Sequence, residues 1–208
     1  MPSQIVNDVV GADVARAAVL GPSFAKDLMA HDLTAVNVAS HDQNLSSELM
    51  GFLRTRYLRG YATDDLLGTQ LCAALKNVVA LGVGMFQGAG FSDNGRAALI
   101  TLALEEIKTA VAACGGQEKT IYGLAGLGDL LLTATGKSSR NLEVGRRFGA
   151  GQSLDKILLE TGYIPEAINT VKAIPPLEKK IAHSLPILHA FYTIVYDNAP
   201  LASLIELL

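Results

Sequence analysis

LCAALKNVVALGVG, residues 71–84, sets one lysine, Lys76, and an asparagine, Asn77, inside a run of apolar and small residues. From Leu66 to Ser92, Lys76 is the only charged residue. Taking an ammonium group out of water is costly unless a partner pairs with it or its pKa falls. The run is therefore either exposed or built around a lysine with a chemical task. The stretch also passes a crude hydropathy test for a membrane span. An intramembrane lysine would cost roughly 2.5–3.5 kcal/mol. Five glycines (Gly68, Gly82, Gly84, Gly88, Gly90) interrupt the run, and no basic cluster flanks it. A buried central helix is the better reading, with no stable membrane insertion.

The rest of the composition agrees with a packed domain. The 208 residues are 50% hydrophobic and 18% charged, enough for one domain or one and a half. A formal net charge of −3 argues against a nucleic-acid partner held by bulk electrostatics. Cys72 and Cys114 lie far apart in apolar helical contexts and read as reduced, buried thiols of a cytoplasmic protein. The histidines His31, His41, His183 and His189 have no metal-ligand spacing, so no metal is expected. MPSQIVNDVV has neither the basic start nor the apolar run of a signal peptide.

Before residue 64 the chain reads as β-rich. ARAAVLGPSF, LTAVNVAS and part of FLRTRYLRGYATDD predict strands of an α/β unit, too few to close a sheet. No strand, Gly-rich turn and helix of a complete dinucleotide fold is present, and LGVGMFQGAG continues a helix instead of following a strand. From Asp64 onward the signals are helical. Asp64 or Asp65 caps a helix through Lys76 to about Gly88; Ser92 or Asp93 precedes the next, whose apolar positions run from Ala97 to Ala113 and stop at Gly115-Gly116. Ser138 or Ser139 opens a short helix ending near Gly149, and Ser153 opens another that Gly162 closes. Pro186 and Pro200 suit helix first turns, whereas Pro175-Pro176 should break or kink the helix it falls in.

Three stretches could carry chemistry. Desolvation of Lys76 would lower its pKa toward neutrality and let it exchange a proton at pH 7; the alternative is a lysine snorkelling at the rim of a core helix. In GLAGLGDLLLTATGKSSRN, residues 123–141, Gly123, Gly126 and Gly128 permit tight turns or close approach. Asp129, Thr133, Ser139, Arg140 and Asn141 follow, and Ser-Ser-Arg-Asn at a helix start describes either an anion site or a plain N-cap with a solvated arginine. GPSFAK, residues 21–26, is either a ligand loop at a sheet's carboxyl edge or an ordinary turn.

GPSFAKDLMAHDLTAVNVAS, ALKNVVALGVGMFQGAGFSDNGRAALI and GLAGLGDLLLTATGKSSRN, in this order, resemble the bacterial NAD(P)-dependent glycerol-3-phosphate dehydrogenases, with a weaker likeness through GYIPEAINT and LPILHAFYTIVYDNAP. The resemblance implies a mainly α protein: an all-helical, 6-phosphogluconate-dehydrogenase-C-terminal-like substrate domain at 64–208, preceded by a partial α/β remnant of a dinucleotide-binding domain at 1–63. It implies hydride transfer between NAD or NADP and C2 of glycerol 3-phosphate, giving dihydroxyacetone phosphate, in phospholipid precursor synthesis. Lys76 is then the general acid/base. Gly21, Ser23, Lys76, Asn77, Asp129, Thr133, Ser139, Arg140 and Asn141 contact or support the small phosphorylated substrate. Ala25, Arg140, Ile164 and Glu166 touch the dinucleotide. A homodimer is implied as well.

The chain departs from the family pattern. The GxGxxG turn and a second active-site lysine belong to sequence absent here. Gln70 replaces a usual glutamate, and PEA at 165–167 replaces Val-Glu-Gly. The chain is therefore expected to be inactive alone, the alternative reading being a non-catalytic assembly module derived from the family. The dehydrogenase reading requires the side chains of residues 76 and 140 to meet in one cavity.

Overall fold

The computed structural model describes residues 1–11 and 13–208. Among them three strands form one sheet in the spatial order β1 (Ala18–Leu20), β2 (Thr34–Ala39), β3 (Leu58–Thr63). The central strand β2 pairs antiparallel with β1, Ala18 opposite Ala39, and parallel with β3, Thr34 opposite Leu58. Its Val36, Val38 and Ala39 are buried, as a strand flanked on both edges requires. The three strands fall where the sequence predicts them. Three short helices do not: α1 (Pro2–Val10), α2 (Ala25–Met29) and α3 (Gln43–Leu53) are additions to the sequence reading. Asp42 caps α3 by accepting from Asn44 N at 2.9 Å and Leu45 N at 3.1 Å. At α1, Ser3 N donates to Gln70 Oε1 at 3.1 Å, so the residue that replaces a usual glutamate anchors the chain's first helix.

The remaining helices are α4 (Leu66–Gly88), α5 (Asp93–Ala113), α6 (Asp129–Thr135), α7 (Arg140–Gly149), α8 (Leu154–Thr161), α9 (Glu166–Lys172), α10 (Ile174–Ile181) and α11 (Pro186–Tyr196). The architecture is mainly α, as expected. Helix α4 is the core: Val78, Val79, Leu81, Met85 and Phe86 are buried in one cluster to which every later helix contributes, with α5, α6, α7, α9 and α11 packed on α4 itself. It is long and apolar enough to cross a bilayer, yet 78% of its apolar window is buried inside the protein. A helix apolar on every side must be covered on every side, and here protein does it.

Asp65 starts α4 and ties it down. One carboxylate oxygen accepts from Gly68 N at 2.8 Å, the other from Gln117 N at 2.8 Å and Thr120 Oγ1 at 2.5 Å. Helix α5 begins a turn earlier than its apolar positions suggest, at Ser92, and ends before Gly115 at φ +89°. Ser139 caps α7 through Leu142 N, and Gly162 closes α8 at φ +71°. Pro175-Pro176 breaks the predicted helix, as proline should, and occupies the first turn of α10. Pro186 is the first residue of α11, whereas Pro200 sits just ahead of a final 3₁₀ turn, Leu201–Leu207. The first free N–H groups of α11, those of Ile187 and Leu188, donate to the Glu106 carboxylate of α5 at 2.8 and 2.9 Å. Both cysteines are free. Cys72 is buried, which pushes its thiol up to about 12, but Cys114 is only half-buried, at the end of α5 where one side meets solvent.

The closest packing is between α4 and α7, and glycines permit it. A Cβ on Gly84 would strike the Leu142 carbonyl, and one on Gly88 the Arg146 carbonyl. In return, Gly145 presses on the Leu81 carbonyl and Gly149 on that of Met85. Replacing Gly84 with alanine is therefore expected to destabilise the chain by about 1–3 kcal/mol, measured by urea unfolding. Gly95→Ala, whose Cβ meets nothing nearer than 3.9 Å on α5, should instead be neutral or stabilise by up to about 1 kcal/mol.

Candidate functional site

Helices α4 and α7 run side by side in the same direction. Leu81 meets Gly145 and Met85 meets Gly149, and Asn141 Nδ2 donates to Asn77 Oδ1 at 2.9 Å, a partner 64 positions away. Lys76 and Arg140 each precede one of these asparagines, near the N-terminal end of the seam. Both line one cavity of about 230 Å³, together with Asn77, Thr133, Ser139, Asn141 and Glu166. The convergence demanded by the sequence reading is present.

Lys76 is not bare. Its Nζ lies 2.5 Å from Asp129 Oδ2, and its side chain keeps 17% of its exposure. Asp129 opens α6 directly after the tight turn Leu124–Gly128. Of the three glycines there, Gly126 is the one sterically required, because a Cβ would strike the Ile121 carbonyl. Ala125 N donates to Asn37 Oδ1 at 3.0 Å, which ties this turn to β2. Thr133, one helical turn on, donates to the Asp129 carbonyl oxygen at 2.7 Å. Burial raises the Asp129 carboxyl above its ordinary range; the Lys76 ammonium pulls it back only in part, and Glu166 adds to the rise.

A chain of amides links three helices. Ala167 N donates to Asn141 Oδ1 at 3.0 Å, Asn141 to Asn77, and Asn77 Nδ2 to Glu166 Oε2 at 2.8 Å. At the start of α7, Ser139 Oγ accepts from Leu142 N at 3.2 Å, so its hydroxyl hydrogen stays available as a donor. The first-turn N–H groups, which no carbonyl of the helix reaches, lie at the same end. The exposed Arg140 guanidinium sits 5.3 Å over the Tyr163 ring. Helix-start amides, a hydroxyl, a guanidinium and an ammonium together suit an anion.

The structure does not bring every sequence-derived residue to this cavity. Gly21 is buried and accepts from the Ser23 hydroxyl at 3.0 Å, Ala25 is exposed at the start of α2, and Ile164 is 61% exposed. Their chain neighbours Phe24 and Pro165 line it instead. Ser138, part of the Ser-Ser-Arg-Asn candidate, lines it too, whereas Phe24, Pro165 and Tyr163 carry no signal as site residues: GPSF and YIPE contain them, but nothing in an isolated Phe or Pro marks a cavity wall. A larger cleft of about 540 Å³ lies on the other side of Ser139, between α4, α5, α6 and α7. Its Arg96 and Arg146 pair with Asp93 and Glu143; the smaller cavity brings Lys76 and Arg140 together with Ser139 and Asn141 at the start of α7 and is the candidate site.

Fold and cavity define a helical domain with a small anion-accepting site set against an incomplete α/β sheet. Residues 65–206 match the family described as NAD-dependent glycerol-3-phosphate dehydrogenase C-terminus. The chain belongs to that family. It is 42% identical over 192 residues to a glycerol-3-phosphate dehydrogenase (NAD(P)+) of Leuconostoc citreum, covering 92% of this chain and 57% of the relative. It is 38% identical over 206 residues to that of Nitrosomonas eutropha, covering 99% and 63%. The crystal structure of glycerol-3-phosphate dehydrogenase from Coxiella burnetii superposes with a TM-score of 0.93 at 32% identity, over 98% of this chain and 62% of that one. The chain thus spans about three-fifths of the length of such relatives.

The Asp129 shift has a signed consequence. Because the folded carboxyl titrates above its unfolded value, its contribution to stability is complete below the unfolded pKa (about 3.9) and is lost as pH rises through the folded one. Asp129→Asn does not titrate. Denaturant unfolding of both proteins at pH 4 and pH 7 should therefore show the wild type gaining on the variant as pH falls.

Proposed function

We propose that this chain is the substrate-binding portion of a glycerol-3-phosphate dehydrogenase, which interconverts sn-glycerol 3-phosphate and dihydroxyacetone phosphate. The shared cavity of Lys76 and Arg140 carries the reading. A phosphate monoester brings close to two negative charges, which the start of α7, the Ser139 hydroxyl and the Arg140 guanidinium would receive. That leaves C2 at the Lys76 end. In the reducing direction the Lys76 ammonium gives a proton to the carbonyl oxygen; in the oxidising direction the amine takes the hydroxyl proton. Asp129, 2.5 Å from Nζ, holds the lysine head in position. Asn77, Asn141 and Thr133 hold the donors in place; the contacts of Gly21 and Ser23 rest on the resemblance alone, since neither lines the cavity.

NAD or NADP, when bound, accepts or supplies the hydride. The residues here fit one edge of a dinucleotide: exposed Ala25 and Ile164 flank the two cavity-lining residues Phe24 and Pro165, and Arg140 and Glu166 present charge beside them. No Gly-rich phosphate turn after a strand is found in these 208 residues. We divide the chain at 63/64 into sheet remnant and helical domain, a division supported by a family match that begins at residue 65. The homodimer, the cytoplasmic location and the place in phospholipid precursor synthesis rest on the resemblance.

Calorimetry with glycerol 3-phosphate should show binding by the wild type that weakens roughly tenfold or more in Arg140→Ala. No binding, and indifference to that substitution, would leave the assembly-module reading in its place. With dihydroxyacetone phosphate and NADH or NADPH, absorbance at 340 nm should stay flat for the chain alone. Steady loss abolished by Lys76→Ala would show turnover without a separate nucleotide-binding half.

A further inference from the structure

We propose that Phe24 sets substrate length, by walling the cavity of Lys76 and Arg140 off from a second cavity beside it. The inference rests on the function proposed above. The second cavity, about 360 Å³, is lined by Pro22, Asp27, Asp32, Leu33 and Leu132 among others. Among the described residues, Phe24 is the one that lines both.

The ring is held at two ends. Its backbone is fixed as the residue before α2, where the Phe24 carbonyl accepts from Asp27 N at 3.0 Å and Leu28 N at 3.1 Å. Its edge lies on Gly136, where a Cβ would come within 2.7 Å of Phe24 Cε2. A partition clamped between the loop after β1 and the loop before α7 does not swing aside freely.

The two compartments differ in chemistry. The first offers Lys76, Arg140 and Ser139 to an anion and, at about 230 Å³, is smaller than the ~300–1,000 Å³ of pockets that take drug-sized ligands. The second carries two carboxylates, Asp27 and Asp32, which repel phosphate but accept hydrogen bonds from hydroxyls. A three-carbon phosphate anchored at Arg140 ends at the ring. A four-carbon polyol phosphate would have to push its terminal hydroxyl through the ring's position to reach the aspartates. Phe24 is thus a specificity-determining residue, and removing the ring joins the two spaces.

Phosphorus NMR titrations of the wild type, Phe24→Ala and Phe24→Leu with sn-glycerol 3-phosphate and with erythritol 4-phosphate test this. The wild type should prefer the three-carbon ligand. In Phe24→Ala the ratio of affinities should move at least roughly tenfold toward the four-carbon ligand, the range that a methylene-sized change in a pocket produces. Phe24→Leu should lie between. Equal weakening of both ligands, or an unchanged ratio, overturns the inference while leaving the proposed function intact. If Phe24→Ala shows no cooperative unfolding transition, Phe24→Leu decides, and an unchanged ratio there is equally fatal. A wild type that binds neither ligand overturns the proposed function and this inference with it.

Discussion

The close approach of α4 to α7 is the constraint from which the site follows. Gly84 and Gly88 on one helix and Gly145 and Gly149 on the other let backbone meet backbone, so carbonyl oxygens fill the space that side chains would take elsewhere. Such contact fixes both the distance between two helices and their axial register, because each glycine answers a particular carbonyl. The register is parallel: Leu81 with Gly145 and Met85 with Gly149 share an offset of 64, and Asn77 with Asn141 prolongs it past the last glycine contact. Lys76 and Arg140 come one step earlier. The cavity they share opens at that end of the seam, with Phe24, Ser138 and Pro165 completing its wall.

Around that seam the polar groups close on themselves. The amide chain starts at Ala167 N and ends at the carboxylate of Glu166, two adjacent residues, after crossing α7 and α4. Every donor in it points the same way, so the orientation of both asparagine amides is determined by the network. The Lys76–Asp129 pair ties in α6. Four helices are thereby fixed about one small volume. Asp129 bears the cost of desolvation, offset in part by a lysine that the same pairing presents to the cavity.

Much of the frame was legible because single residues decide it. Asp65 and Ser139 announce helix starts by accepting first-turn N–H groups, Gly162 marks an end by entering the left-handed region, and Pro175-Pro176 can only begin a helix. Lys76 was legible as an anomaly of charge. Its partner was not legible from spacing, since Asp129 reaches it through a turn whose course depends on Asn37 of the sheet and on Gly126 against Ile121. The four-residue spacing of Gly84–Gly88 and Gly145–Gly149 was open to view, yet glycines in an apolar run served only as evidence against a membrane span. Helices α1 to α3 escaped for another reason. They bury no apolar stripe: α1 leaves Ile5, Val9 and Val10 exposed, α2 has no buried residue, and the only residue of α3 that is buried is Ser46.

The interlocked seam also limits how the molecule can move. Helices that touch through bulky side chains can slide by small rotamer adjustments, the basis of shear motions. Here a slide of α7 along α4 would drive peptide carbonyls into Cα atoms at four places, with no rotamer to absorb it. Any closure over a ligand must therefore bring another body toward this seam as a rigid approach, with the helical pair serving as the anvil against which it closes.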